Sequence, residues 1–224
     1  SIKLSAQNNQ HKKGVQDYQK LAYVDAIQNL EKAVQSGKLS KENIPSTYQM
    51  IADSYYNNAM YDEAKSWYYK IYAEYPNHQD QKYLIRYAIT QKSNQNYIYA
   101  DVLLKEAQVT LPNDSRIKKT LNNPNYLQQI NQRKDNFVLE QVNFNSVFSD
   151  YGPAYFDQSI LFTSTRDTTF AFTRFDHTWT GKSFSNLFLV NDSVGKVVPF
   201  SKTINTIFNE STPVFTADFK KMYF

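Results

Sequence analysis

The sequence predicts an α+β multidomain protein in which an N-terminal α-solenoid of helical hairpins is followed by a domain of short β-strands. Apolar residues recur at helical spacing before residue 111, whereas short apolar runs punctuated by Gly and Pro follow residue 137. The aromatic residues change at the same point, because all 15 Phe lie at or beyond Phe137 and only Tyr151, Tyr155 and Tyr223 of the 18 Tyr do. We therefore place the domain boundary near residue 135.

Composition excludes several classes of protein. The 224 residues carry a net charge of +4, which does not provide the concentrated basic face of a nucleic-acid-binding protein. The absence of Cys removes disulfides, thiolate zinc sites and Cys nucleophiles. No run of about 18 apolar residues occurs, so no transmembrane helix is expected.

Residues 13–135 are predicted to form the solenoid. In its middle part, two apolar stripes at i, i+3, i+4, i+7 spacing flank a short link at Asn57–Tyr61, and they predict an antiparallel helix pair. The stripes consist of Tyr48, Ile51, Ala52 and Tyr55, then Ala64, Trp67, Tyr68 and Ile71.

The pattern of the second helix repeats along the chain, which indicates an array of similar units. Small residues of the first helices also align, and they predict a close approach of neighbouring helices. Ala64, Tyr68, Ile71 and Pro76 recur 36 residues later as Ala100, Leu104, Ala107 and Pro112. The same spacing occurs 38 residues earlier in Ala26, Leu30 and Ala33. The aligned small residues of the first helices are Gly14, Ala52 and Ala88.

This pattern resembles the tetratricopeptide repeat (TPR), a helix pair with small residues at fixed positions and a closing proline. Ser46–Asn77 is the best-matching copy, whereas the first copy lacks the closing proline and the third has Gln91 where Tyr is expected. Another kind of α-hairpin array remains the alternative. In either case the solenoid buries its core by stacking neighbouring units, and a helix predicted at Pro124–Lys134 caps its end.

Residues 136–224 are predicted to be β-structure. Strands are expected at Ser159–Ser164, Asn186–Val190 and Lys196–Phe200, with a turn at Asn191–Gly195. The segment 148–155 aligns with the segment 208–215, 60 residues later, and an apolar strand follows each copy. A four-strand unit that recurs in this way predicts the first blade, and the start of the second blade, of an incomplete β-propeller.

The β-domain motifs resemble the TolB-type, WD-like propeller repeat. The residues that carry the resemblance are Ser149–Pro153, Ile160–Ser164, Arg166, Asp167, Trp179–Gly181, Asn186–Leu189, Phe200–Asn205 and Glu210–Pro213. With helical repeats placed ahead of the propeller, the chain resembles Bacteroidetes OmpA-family proteins such as the PorE-type components of type IX secretion and gliding motility. In that family a C-terminal OmpA-like peptidoglycan-binding domain follows the propeller, so the chain is expected to be an N-terminal fragment.

The resemblance implies a non-enzymatic adaptor, or scaffold, that acts through protein–protein interaction in the periplasm at the outer membrane. The implied partners are a PorP/SprF-like outer-membrane β-barrel and secretion components, with peptidoglycan bound through the C-terminal domain. No nucleic acid and no transmembrane segment are expected. Two other functions stay open: a periplasmic sensor whose complete propeller binds a small ligand or glycan, and a cytoplasmic tetratricopeptide scaffold.

Two segments are candidates for partner binding. The tetratricopeptide resemblance implies that the first helices line a groove, with the candidates Gln49, Asp53, Tyr56, Asn57, Lys82, Ile85, Ile89 and Lys92. The long segment Arg166–Ser185 is rich in aromatic residues, and Phe175 and Trp179 are its candidates for a partner-docking tip. The alternatives are a solvated helix face and a loop that folds over its own sheet.

No catalytic residue, cofactor or metal site is predicted. The three His lie in three different segments, so a His-based metal cluster is not expected. The tripeptides that begin at Asp167 and Asp192 resemble the Bacteroidetes O-glycosylation sequon, with Thr168 and Ser193 as acceptors. Residues 1–12 are predicted to be an N-terminal tail, in which Leu4–Ala6 resembles the end of a secretory signal peptide.

Overall fold

The structure is a computed structural model that describes residues 2–78, 80–166, 176–191 and 195–224, with side chains from residue 9 onward. The chain divides into two compact units. The helical unit comprises Ser1–Phe137 together with Thr178–Thr180, and the sheet unit comprises Val138–His177 and Gly181–Phe224.

The helical unit is built from consecutive helical hairpins. Its helices are α1 (Ile2–Gln19), α2 (Tyr23–Gln35), α3 (Ile44–Asn57), α4 (Tyr61–Glu74), α5 (Tyr83–Ser93), α6 (Tyr97–Thr110), α7 (Ser115–Leu121) and α8 (Tyr126–Asn131). Helices α1 to α6 pair in order as three hairpins, and each hairpin packs against the next. The prediction of helical hairpins ahead of a β-region is therefore confirmed.

Helix α1 begins at Ile2 and includes most of the residues that were predicted as an N-terminal tail. Its sequence is mostly polar, and the part of it that packs against α2 and α3 is a narrow stripe that includes Val15 and Tyr18. A stripe of so few apolar residues gives a weak periodic signal, which is why the sequence pattern places the start of the helix too late.

The small residues of the repeat lie where neighbouring helices approach closely, as predicted. Ala52 and Ala88 are fully buried, and a Cβ added at Gly14 would lie 2.7 Å from two side-chain carbons of Leu30. The residues of the second-helix repeat are also buried in the core of the helical unit: Ala26, Leu30, Ala33, Ala64, Tyr68, Ile71, Ala100, Leu104 and Ala107.

The turn within each hairpin has the same backbone conformation. Leu21, Ala59 and Gln95 have φ of 61°, 57° and 60°, in the left-handed region that favours Gly. In each turn the amide of the next residue donates to the carbonyl five residues earlier, at 2.8 to 3.0 Å. The turn residues are separated by 38 and then 36 positions, which are the spacings of the sequence repeat. The repeat therefore extends to backbone positions where the side chains differ.

The helix predicted at Pro124–Lys134 is present as the shorter α8, and α7, which was not predicted, precedes it. Helix α7 begins after Asp114, whose side chain accepts a hydrogen bond from the amide of Arg116 at 2.9 Å. Ile117 of this helix is fully buried against the core. Helix α7 has only seven residues, so it offers too little periodicity to be recognised from sequence.

The sheet unit contains a four-stranded antiparallel meander. Its strands are β1 (Asp150–Phe156), β2 (Ser159–Ser164), β3 (Asp176–His177), β4 (Lys182–Ser183), β5 (Asn186–Asn191), β6 (Val197–Pro199), β7 (Val214–Phe215) and β8 (Met222–Tyr223). The meander has the order β1-β2-β5-β6, and β3-β4 and β7-β8 form separate hairpins. Within the described residues these strands do not form a propeller.

The aromatic core of the sheet unit lies on one face of the meander, and Leu161 and Leu187 on the other face are also fully buried. Phe162 and Phe188 are opposite each other in the pairing of β2 with β5, and both are buried. Phe144, which precedes β1, packs its ring 5.4 Å from the ring of Phe162. The three predicted strands are present, although the third is shorter than Lys196–Phe200 because pairing begins at Val197 and ends at Pro199. A proline fits at this edge because its nitrogen cannot donate to a further strand.

No described helix is long and apolar enough to span a membrane, which agrees with the prediction.

Candidate functional site

The helical unit contains one carboxylate that connects all three hairpins. Asp53 on α3 is only 3% exposed. Its Oδ1 lies 2.7 Å from Nη1 of Arg86 on α5 and accepts a hydrogen bond of 2.5 Å from the hydroxyl of Tyr68 on α4. Its Oδ2 accepts a hydrogen bond of 3.1 Å from the hydroxyl of Tyr18 on α1. We refer to Tyr18, Asp53, Tyr68 and Arg86 as the Asp53 cluster.

The charges of the cluster fix its protonation states. Burial raises the pKa of the Tyr18 and Tyr68 phenols, and the negative charge of Asp53 raises it further. Burial would lower the pKa of Arg86, but the attraction to the Asp53 carboxylate outweighs burial and the pKa is raised. Neutral phenols and a charged guanidinium therefore surround the carboxyl group of Asp53 at neutral pH.

Aromatic rings adjoin the cluster on its accessible side. The guanidinium of Arg86, whose side chain is 34% exposed, lies 5.5 Å from the ring centroid of Tyr56. The ring of Tyr23 packs edge-on against the ring of Tyr18, with 5.9 Å between centroids. A partly exposed cation and several aromatic rings thus lie together, although Tyr23 itself is only 5% exposed, and this combination suits the packing of an aromatic side chain.

An aromatic side chain binds at this surface within the helical unit itself, since that unit includes residues 178–180. Nε1 of Trp179 donates a hydrogen bond of 3.2 Å to the carbonyl of Asn57, and its ring meets the ring of Tyr23 edge-on at 4.8 Å. Asn57 is the last residue of α3, and the final carbonyls of a helix have no partner within it. The indole therefore satisfies a helix-end acceptor while its ring contacts Tyr23.

The structure brings together only some of the candidate groove residues. Asp53, Tyr56 and Asn57 lie at the surface just described, together with Trp179. Gln49 lies elsewhere, with its Nε2 donating to Asp80 at 2.9 Å and its Oε1 within hydrogen-bond distance of His78.

The candidates from the third repeat do not form one surface. Ile85 is 1% exposed and belongs to the buried core, because this position of α5 faces the packed interior of the solenoid. Ile89 packs against the same core. Lys92 is directed towards α8, where its ammonium lies 4.7 Å from the ring centroid of Tyr126. Lys82 is exposed just before α5.

Four residues of the site were not among the sequence candidates: Tyr18, Tyr23, Tyr68 and Arg86. A signal for Arg86 exists, because it is the only charge in the run Tyr83–Thr90 of an otherwise buried helix. Asp53 is likewise the only charged residue of α3. Opposite charges within the first helices of two successive hairpins favour an ion pair, since a buried charge needs a partner.

The sheet unit contains a second buried ion pair. Arg166 Nη2 lies 2.9 Å from Oδ1 of Asp150, and Oδ2 of Asp150 accepts hydrogen bonds from the amide and hydroxyl of Ser146 at 2.6 and 2.7 Å. The guanidinium also donates to the carbonyl of Phe144 at 3.1 Å. These bonds connect the segment before β1 to the end of β2, so this pair stabilises the sheet.

Three candidates lie outside the described residues: Phe175 and the two proposed glycosylation acceptors, Thr168 and Ser193. In the described part of the chain no group of three or more His, Asp or Glu side chains is arranged to bind a metal ion.

No known protein family matches the sequence, and a search of curated proteins finds no significant relative.

Proposed function

We propose that the chain is a non-enzymatic adaptor whose helical unit binds an aromatic-bearing segment of a partner protein beside the Asp53 cluster. The observation that carries the proposal is the position of Trp179, which meets Tyr23 and donates to the carbonyl of Asn57. A surface that accepts one short aromatic segment has the chemistry to accept another of the same kind.

The chemistry of the surface defines the partner segment. An edge-on ring contact with Tyr23 favours a Trp or Tyr, and the Asn57 carbonyl favours a side chain that carries an N–H or O–H donor. The partly exposed guanidinium of Arg86 favours an acceptor, such as a carboxylate, next to that ring. Aromatic anchors flanked by a charge are typical of the few residues that dominate binding at protein interfaces.

We place this adaptor at the periplasmic side of the outer membrane, between a PorP/SprF-like β-barrel and peptidoglycan. The support for this setting is the order of helical hairpins before TolB-like motifs. A four-stranded meander followed by the β7-β8 hairpin agrees with the start of a propeller, because propeller blades are antiparallel meanders. The tetratricopeptide character of the hairpins belongs to the same proposal.

The test is recovery of partners from detergent-solubilised bacterial envelopes with the tagged chain. We expect an outer-membrane β-barrel protein to co-purify, and we expect Arg86→Gln to reduce its recovery severalfold. Lys105→Gln, which removes an exposed positive charge from α6, is the matched control and should leave recovery unchanged. Circular dichroism of both variants checks that the helices persist.

Recovery of the chain alone, combined with glycan binding measured by calorimetry, would support the alternative of a periplasmic sensor. Recovery of the barrel at the same level with Arg86→Gln would contradict the proposed binding surface while leaving the adaptor role standing.

A further inference from the structure

The 60-residue repeat of the sheet unit extends to individual hydrogen bonds. The hydroxyl of Ser146 donates to Asp150 at 2.7 Å and accepts from the amide of Phe148 at 3.2 Å. Sixty residues later, the hydroxyl of Thr206 donates to Glu210 at 2.5 Å and accepts from the amide of Phe208 at 3.1 Å. Glu210 therefore occupies the position in the second copy that Asp150 occupies in the first.

The strand pairing repeats with the same register. Tyr155 pairs with Ile160 in the β1-β2 hairpin, and Phe215 pairs with Met222 in the β7-β8 hairpin. The backbone also agrees, since Gly152 and Thr212 have φ of 59° and 49° at equivalent positions. The two copies thus agree in the strand positions that pair, in the sign of φ at one backbone position and in the polar contacts that precede the first strand, whereas the hairpin turn of the second copy is two residues longer.

The two carboxylates differ in their remaining contacts. Asp150 is paired with Arg166, which follows β2. Glu210 is 5% exposed, and its Oε2 has no hydrogen-bond partner among the described residues. A buried carboxylate oxygen without a donor is costly, and buried charges in folded proteins are usually paired. Glu210 therefore lacks a partner among the described residues, and the first copy indicates that this partner is a guanidinium.

We propose that Glu210 is the acceptor of a second guanidinium site, the counterpart of the site that Arg166 fills beside Asp150 in the first copy. By the repeat alignment, Phe224 corresponds to Phe162, so an arginine placed four residues after Phe224 would stand where Arg166 stands in the first copy.

The aromatic surroundings also correspond. The guanidinium of Arg166 lies 5.1 Å from the ring centroid of Phe162. The equivalent ring of Phe224 is 58% exposed and presents a free face for the same cation–π contact. An arginine fits better than a lysine here, because Arg166 uses separate N–H groups to reach Asp150, Ser164 and Phe144.

The site is tested by extending the chain after Phe224 with the first copy's own residues, Thr-Ser-Thr-Arg, and by a control extension, Thr-Ser-Thr-Gln. We expect the arginine extension to slow hydrogen exchange in peptides from residues 186–224 by roughly five- to thirty-fold relative to the glutamine extension. Peptides of the helical unit should be unchanged.

A second variant separates the proposed contact from a general effect of the added charge. In Glu210→Gln the two extensions should give equal exchange rates. In the unextended chain, Glu210→Gln should leave the sheet unit as protected or more so, whereas Asp150→Asn should reduce protection at β1 and β2. Equal effects of the two extensions in the wild-type chain, or a loss of protection in Glu210→Gln matching that of Asp150→Asn, would overturn the proposal.

Discussion

Asp53 and Arg86 join two consecutive hairpins of the helical unit through an ion pair in which Nη1 lies 2.7 Å from Oδ1. Tyr18 connects the first hairpin to this pair, because its hydroxyl donates to the other oxygen of the Asp53 carboxylate. Three hairpins are thus connected through one buried side chain, in addition to the apolar contacts between neighbours.

Removal of either partner of this pair should destabilise the helical unit. Asp53→Ala leaves the Arg86 guanidinium and two phenols without their acceptor, and we expect a loss of about 3 kcal/mol in the free energy of unfolding. Urea denaturation followed by circular dichroism at 222 nm measures this change.

The matched control for that prediction is Asp62→Ala. Asp62 forms an exposed pair with Lys65 on α4, where the ion pair contributes at most about 0.5 kcal/mol. If Asp53→Ala cost no more than Asp62→Ala, the Asp53 cluster would not stabilise the array.

The stability of the helical unit should fall as the pH rises above about 10. The pKa of Tyr18 is raised in the folded state above the ordinary value of 10.0, so the unfolded chain loses this proton first. Above that pH the folded state binds more protons, and the free energy of unfolding decreases with pH. Below pH 10 both states are protonated and the contribution of this group is constant.

Tyr18→Phe should therefore reduce the slope of the free energy of unfolding against pH between 9.5 and 11.5. At pH 7 the same variant should cost roughly 1–2 kcal/mol, because the bond to a charged acceptor is lost. Tyr69→Phe, which changes an exposed phenol on the neighbouring helix, is the control. An unchanged alkaline slope in Tyr18→Phe would show that other groups cause the pH dependence.

Replacing Ala59 with Gly at the left-handed turn position should stabilise the second hairpin. Ala59 has φ of 57°, a conformation that costs an L-residue about 1 kcal/mol relative to Gly. After the larger loss of chain entropy for Gly is included, Ala59→Gly should raise the free energy of unfolding by about 0.5 kcal/mol. The comparison is thermal denaturation of Ala73→Gly. Ala73 is exposed in the last turn of α4, where the same change should destabilise the helix by up to about 1 kcal/mol. The prediction fails if both variants shift the Tm in the same direction.

A methyl group at position 14 should disrupt the first hairpin. In Gly14→Ala the new Cβ would lie 2.7 Å from Cγ and Cδ2 of Leu30, so the helices must separate or Leu30 must change rotamer. We expect a loss of about 1–3 kcal/mol despite the better helix propensity of Ala. In the Leu30→Ala background the same substitution should cost much less, and a double-mutant cycle measures the difference.

The sequence predicts the helical hairpins well because their apolar residues recur with helical period, as the stripe from Ala64 to Ile71 shows. It predicts β2 and β5 because short apolar runs pair in the core. It places the start of α1 too late and does not detect α7, since few residues of either helix reach the core. For the Asp53–Arg86 pair, the sequence offers only a single charge within each helix, and the periodic pattern of one helix does not show which residue of another helix that charge contacts.

The site is less predictable than the fold for the same reason. Tyr56 and Asn57 were candidates because of their helix, but Tyr23 lies on the second helix of its hairpin and Tyr68 on the second helix of the next. A groove assignment that considers only first helices omits them. Ile85 was a candidate for the groove because of its place in the repeat, yet its side chain is 1% exposed and belongs to the core.

The shared turn conformation makes each hairpin an interchangeable part of the helical array. Because Ala59 and Gln95 adopt the same backbone angles 36 residues apart, a second copy of residues 60–95 inserted after Gln95 would meet an identical turn at both of its junctions. Stacked repeats of this kind add stability through neighbour contacts. The length of the array can therefore change in whole units without a new turn, and the span of the helical surface grows with each added unit.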